Sequence, residues 1–206
     1  DLRPLPFADR RRRLEAWHAA KPRPGFDLSP LVAFESWEEL ARKRAAIAAV
    51  GVEGLMLKRA DSPYLAGRPV GQWYKWKINP KLVDAVLMYA QRGHGKRSSY
   101  YSDYTFGLWH GEELVPVGKA YFGFTDAELL ELDRWVRNHT VNRFGPVREV
   151  ERGLVLEVAF EGLQRSTRHR SGLAMRFPRI NRIRWDKPYF EADKLSSLEK
   201  LLPPER

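Results

Sequence analysis

The chain has 206 residues, 43% of them hydrophobic and 12% aromatic, enough apolar material for one sizeable core or two small ones, which excludes a disordered tail. It contains no cysteine, so disulfides and thiolate metal sites are excluded. The five histidines (His18, His94, His110, His139, His169) show no paired spacing for zinc, and any metal is expected to be a hard, oxygen-bound ion. The formal charge of +10 favours a polyanionic partner, nucleic acid or nucleotide, because basic groups meeting phosphates release counterions; a merely solubilising basic surface is the alternative.

Residues 9–20 read as a helix around Leu14 and Trp17, with the run Arg10-Arg11-Arg12-Arg13 as a solvated face. After the Pro/Gly-rich connection 21–25, a second helix opens at Ser36, with Glu39 at capping-box spacing, and closes at Gly51. From Val52 the pattern changes to short strands at 54–58 and 73–78, separated by a loop carrying Pro63, Gly67 and Pro69. Asn79-Pro80 punctuates the chain, and the domain boundary is placed there, giving domains 1–80 and 81–206.

Beyond the boundary, 82–91, 104–109, 114–121 and 154–162 are strand candidates. One helix interrupts them at about 125–139, with Thr125 and Glu128 spaced as a capping box and Leu129, Leu132 and Val136 along one side. Five or so short strands with one helix suit a small, partly open barrel of the OB type, and residues 191–202 suit one last short helix. No stretch approaches the roughly 18 apolar residues that a membrane span needs, and residues 1–3 lack a signal pattern, so a cytoplasmic or other intracellular, DNA-containing compartment is expected.

Chemistry concentrates in two clusters. In a strand, Lys75 and Lys77 project together with Trp73 beside them, while Tyr74 and Trp76 face the other way. Two parallel ammonium groups are compensated by an anion between them, which suits a phosphate cradle; an edge strand protected by lysines is the alternative. The second cluster is the segment 164–187, which holds eight Lys/Arg and only Asp186 as an acid.

Glu53-Gly54-x-x-x-Lys58 resembles motif IV, and Trp73-x-Lys75-x-Lys77 resembles motif V, of the covalent nucleotidyltransferases, the ATP-dependent DNA ligases and the RNA-capping enzymes. The run from Met175 to Lys187, with its Arg176-Phe177-Pro178-Arg179 start and its Arg184-Trp185-Asp186-Lys187 close, resembles the DNA ligase form of motif VI. Glu161-Gly162-Leu163-Gln164-Arg165-Ser166 and Gly93-His94-Gly95-Lys96-Arg97 are similar to ligase segments as well.

The resemblance implies an α+β architecture, the C-terminal part of a nucleotidyltransferase (adenylation) domain followed by an OB-fold β-barrel domain. It also implies roles. Lys75 and Lys77 would contact the α-phosphate of ATP or of the bound adenylate, and Glu53 would help hold Mg²⁺ or Mn²⁺. Arg176, Arg184 and Lys187 would meet the departing β- and γ-phosphates, with Asp186 orienting its neighbours. Lys58 and Trp73 would line the nucleotide site. Lys96, Arg97, Arg165 and Arg168 would meet DNA, as would Arg179 and Arg182, for which a catalytic role is the alternative. The family's Lys-x-Asp-Gly motif, which supplies the lysine that becomes adenylylated, does not occur. The expectation is therefore a C-terminal ligase fragment that forms no lysyl-AMP and acts as a monomer with nicked duplex DNA, ATP or AMP, and the N-terminal part of a ligase. An OB-fold nucleic-acid-binding module and an RNA-joining or RNA-capping relative remain the alternatives.

Overall fold

The computed structural model describes residues 1–47, 52–93 and 99–203, and the chain divides into two compact units, Asp1–Ile78 and Asn79–Arg206. In the first unit, helix α1 (Phe7–Ala20) has no buried residue. Its arginine run is not simply a solvated face. Arg10 donates to the carbonyls of Leu5 and Ser62, and Arg11 pairs with Glu15 at 2.6 Å while donating to the Ser29 carbonyl at 2.8 Å. Two of the four arginines thus tie loop carbonyls to the helix, which a charge count does not foresee.

Helix α2 (Trp37–Ala46) begins where Ser36 Oγ accepts from the Glu39 amide at 3.1 Å. The reciprocal half of the expected box is displaced by one residue, because the Glu39 carboxylate accepts from the Glu35 amide at 2.8 Å. The expected cap at Gly51 lies outside the described residues. Strands β1 (Gly54–Lys58) and β2 (Trp73–Lys77) pair antiparallel, Gly54 opposite Lys77 and Lys58 opposite Trp73. Leu40 is the one buried hydrophobic residue among those described in this unit.

The second unit is a curled antiparallel sheet. Strands β3 (Lys81–Arg92), β4 (Tyr101–His110) and β5 (Glu113–Ala120) form a meander, followed by helix α3 (Asp126–Asn138). Thr125 and Glu128 close a full capping box, and Leu129, Leu132 and Val136 are buried. After α3 come β6 (Thr140–Phe144), β7 (Val147–Val150), β8 (Val155–Phe160), β9 (Gly162–Arg165), β10 (Leu173–Arg176) and β11 (Arg179–Arg184). The main path runs β11-β8-β3-β4-β5, with β7 on the far half of β3, and β10 and β11 packing against β5 to close the curl. Closure of this kind leaves few open strand edges. Helix α4 (Leu195–Glu199) seals one side through Leu195 and Leu198.

The core is built from alternate residues of these strands, among them Leu87, Tyr104, Phe106, Leu156, Phe160 and Ile180. Tyr104 donates its hydroxyl to the Tyr101 carbonyl at 2.5 Å, and burial, with the charge of Asp133 adding to it, pushes its phenol well above the ordinary range.

Nine strands form among the described residues of this unit, against the five or so expected. The expected strand 154–162 breaks at Glu161, where β8 ends and β9 begins. Strand β11 escapes a pattern search because its register shifts between Ile180 and Arg182, so that Ile180 and Ile183, three apart, are both buried. Strand β6 is largely exposed, and β9 is four residues long with Leu163 alone buried, so both carry little apolar signal.

Candidate functional site

The lysine pair in the first unit is set by β1 and β2. Gly54, at φ +148°, lies so close to its partner strand that a Cβ there would stand 2.4 Å from the Trp76 carbonyl oxygen and 2.7 Å from the Lys77 Cα. The glycine beside Glu53 is therefore a requirement of the strand pairing that presents Lys77. From the other side, Arg44 of α2 donates through Nε to the Lys77 carbonyl at 3.0 Å and lies 5.1 Å over the Trp76 ring, so Trp76 and Lys77 are held by the helix. Arg44 was not foreseen; its helical position offers no signal for a partner 33 residues away.

By strand alternation and register, Lys58, Trp73, Lys75 and Lys77 share one face of this ribbon. Lys58 lies 4.3 Å over Trp73 and 5.1 Å over Phe7, a cation on an aromatic bed. Lys75 and Lys77 are exposed, and the Lys75 side chain has no ion-pair or hydrogen-bond partner among the described residues. A cleft of about 790 Å³ in this unit is lined by Phe7, Leu31, Met56, Lys58, Tyr64 and Trp73 among others, but not by Lys75 or Lys77. Glu53 precedes β1, and its carbonyl accepts from the Ile78 amide at 2.9 Å, which fixes its backbone at the strand entrance. Mg²⁺ commonly takes one or two carboxylates and completes its shell with phosphate oxygens and water, and a single carboxylate at that entrance fits such a role.

In the second unit the basic segment runs through β10, which pairs with β9, and β11, which pairs with β8, and it lies beside acids. Arg176 ends β10, and its guanidinium stands 5.2 Å from the Phe177 ring centroid. Phe177 itself, at φ +52°, is the one non-glycine residue with positive φ among those described, and strain at such a position costs about 1–3 kcal/mol. On β11, Arg179 lies 3.9 Å from Glu161, and Arg182 lies 3.8 Å from Glu157. Arg184 donates through Nε and Nη2 to Asp186 and through Nη1 to Asp84 at 3.0 Å, while Lys187 Nζ meets the same Asp84 oxygen at 2.7 Å.

The Arg184 hydrogen bonds hold the Asp186 carboxyl far below the ordinary aspartate range, at about 2. The structure therefore brings Arg184, Asp186 and Lys187 together. It spaces Arg176, Arg179 and Arg182 along the end of β10 and along β11, and it leaves Arg165 and Arg168 exposed at and beyond the end of β9. Lys96 and Arg97 lie outside the described residues. Asp84 was missed, although a carboxylate inside the run Leu82-Val83-Asp84-Ala85-Val86-Leu87 is a readable signal.

A two-stranded ribbon that presents two lysines from one strand, followed by a curled barrel that carries an arginine-rich segment, makes a protein of two basic units. Comparison with known proteins narrows the class. The ATP dependent DNA ligase domain matches residues 1–77, and the ATP dependent DNA ligase C terminal region matches residues 97–187. A probable DNA ligase of Koribacter versatilis is 47% identical over 173 residues, 84% of this chain and 30% of that protein. A DNA ligase of Thermococcus fumicolans is 33% identical over 198 residues, 95% of this chain and 35% of that protein. The chain thus spans about a third of the length of these relatives. A solved structure from a structure-function study of Lig E DNA ligases is similar in fold, with a TM-score of 0.64 at 22% identity, covering 87% of this chain and 59% of that one. The chain belongs to the ATP-dependent DNA ligase family. Its fold is α+β, adenylation-domain material followed by an OB-fold barrel.

Proposed function

We propose that this chain supplies the phosphate-binding and DNA-binding groups of an ATP-dependent DNA ligase that seals nicks. The observation that carries the reading is the end of β11 and the turn after it, where Arg184, Asp186 and Lys187 are brought together inside the region matched by the ligase C-terminal model.

In the complete reaction a lysine amine attacks the α-phosphorus of ATP and pyrophosphate leaves. AMP then moves to the 5′-phosphate of the nick, and the 3′-hydroxyl displaces AMP to join the strand. In this scheme Lys75 and Lys77 bind the α-phosphate and stabilise the charge that develops on it. Lys58 and Trp73 flank the nucleotide. Arg176, Arg184 and Lys187 receive the β- and γ-phosphates, with Asp186 orienting Arg184. Glu53 gives one carboxylate to Mg²⁺ or Mn²⁺, which when bound offsets phosphate charge. Arg165, Arg168, Arg179 and Arg182, with Lys96 and Arg97, contact the duplex backbone. The barrel swings between presenting its arginine-rich segment to ATP and clasping DNA.

The nucleophilic lysine comes from the lysine-bearing part of a ligase, which is the protein partner of the first unit. Its surface supports such a partner: Leu31, Trp37, Val70 and Tyr74 are exposed, and α1 buries nothing. Labelled ATP tests the division of labour. The chain alone is expected to take up no covalent label, and the chain joined to the lysine-bearing part is expected to take up label and seal nicked DNA. Label on the chain alone, or no sealing by the joined protein, contradicts the reading. Preferential sealing of nicked RNA overturns the choice of DNA.

A further inference from the structure

We propose that Asp84 is a positioning residue that presets Arg184 and Lys187 for a polyphosphate; this rests on the role given to those two cations above. Asp84 stands on β3 between the buried residues Val83, Ala85 and Val86. Its side chain is 13% exposed, and those of its partners Arg184 and Lys187 are 18% and 19% exposed. One oxygen, Oδ2, accepts from both cations, and the other, Oδ1, is buried with no hydrogen-bond partner among the described residues.

The backbone of Asp84 is fixed as well. Its amide donates to Asp193 Oδ2 at 2.8 Å, and its carbonyl accepts from the Asp193 amide at 2.8 Å. The segment that precedes α4 therefore clamps the very residue that holds the cations.

Two cations brought this close repel unless an anionic oxygen bridges them, and carboxylate and phosphate oxygens satisfy the same N–H donors. Asp84 supplies such an oxygen from the buried side and so fixes Arg184 and Lys187 relative to each other. Arg184 has a second carboxylate, Asp186, but that side chain is 66% exposed and lies toward solvent. The two acids differ in kind. Asp84 is the permanent counter-ion, and Asp186 is the one that an incoming phosphate oxygen displaces from Nε and Nη2.

The test uses the chain joined to the lysine-bearing part of a ligase and measures two reactions of each variant. One is transfer of AMP from ATP to the lysine. The other is sealing of a nick whose 5′ end already carries AMP, which uses no triphosphate. Asp84→Asn is expected to slow the first about 10- to 100-fold, the scale of a misplaced binding group, and to leave the second unchanged. Asp84→Glu, which keeps the charge, recovers part of the loss. Asp84→Asn added to the pair Arg184→Ala and Lys187→Ala costs nothing more, because its effect runs through them. Equal loss in both reactions makes Asp84 scaffold only and overturns the proposal. Full transfer activity in Asp84→Asn, with loss in the Arg184 and Lys187 variants, overturns it alone. Full activity in the Arg184 and Lys187 variants overturns the underlying role of these cations and the proposal with it.

Discussion

Gly54→Ala is the sharpest perturbation of the lysine face. The added methyl would sit 2.4 Å from the Trp76 carbonyl oxygen, whereas ordinary van der Waals approach begins at 3.4 Å, so β1 and β2 must part by about 1 Å. Overpacking costs about 1–3 kcal/mol, and alanine at φ +148° adds about 1–3 kcal/mol of backbone strain. Together these are large against the stability of a two-stranded ribbon, which is marginal on its own and here is held in addition by Arg44 of α2. Hydrogen exchange reads the result at the Ile78 amide, which donates to the Glu53 carbonyl at 2.9 Å across the end of the ribbon. Its protection is expected to collapse, together with that of the β1 and β2 amides, while the amides of β3, β4 and β8 keep theirs. Unchanged protection at Ile78 would refute the claim that Gly54 is required for this pairing.

Two further outcomes follow from the second unit. The depressed Asp186 carboxyl is expected to titrate near 2 by carbon NMR and to return toward the ordinary aspartate range in Arg184→Ala. Because its value is lowered in the folded chain, the stability it contributes is present above the ordinary aspartate range and is lost as pH falls through about 2. An ordinary midpoint in the unaltered chain contradicts the Arg184–Asp186 geometry. Binding of nicked duplex DNA is expected to weaken with salt at a log–log slope of about −4 to −5, the value for about five neutralised phosphates. Arg165→Ala and Arg168→Ala are each expected to flatten that slope by about one, since each removes one cation from the phosphate backbone. A slope that those substitutions leave unchanged removes both residues from the interface.

The elements most legible in the sequence are those whose local rules and packing agree. The box at Thr125 and Glu128 and the Leu129, Leu132, Val136 stripe define α3, and β3 to β5 declare themselves as apolar runs. Legibility fails where tertiary interactions override local pattern. The shift between Ile180 and Arg182 hides β11, and Arg10 and Arg11 read as solvated until loop carbonyls are placed against them. The candidate site divides in the same way. The lysines and arginines are readable as motifs, but the groups that hold them, Arg44 behind Lys77 and Asp84 behind Arg184 and Lys187, lie far away in the chain. Their pairing belongs to the fold, and no spacing rule encodes it.

The central claim is that Lys75 and Lys77 stabilise the reacting phosphate. It is tested most directly by joining this chain to the lysine-bearing part of a ligase and measuring nick sealing with both lysines changed to alanine. Loss of two donors from developing phosphate charge predicts a fall of at least about 100-fold, with folding of the barrel unaffected. Sealing at the unaltered rate in the Lys75→Ala, Lys77→Ala protein would contradict the account.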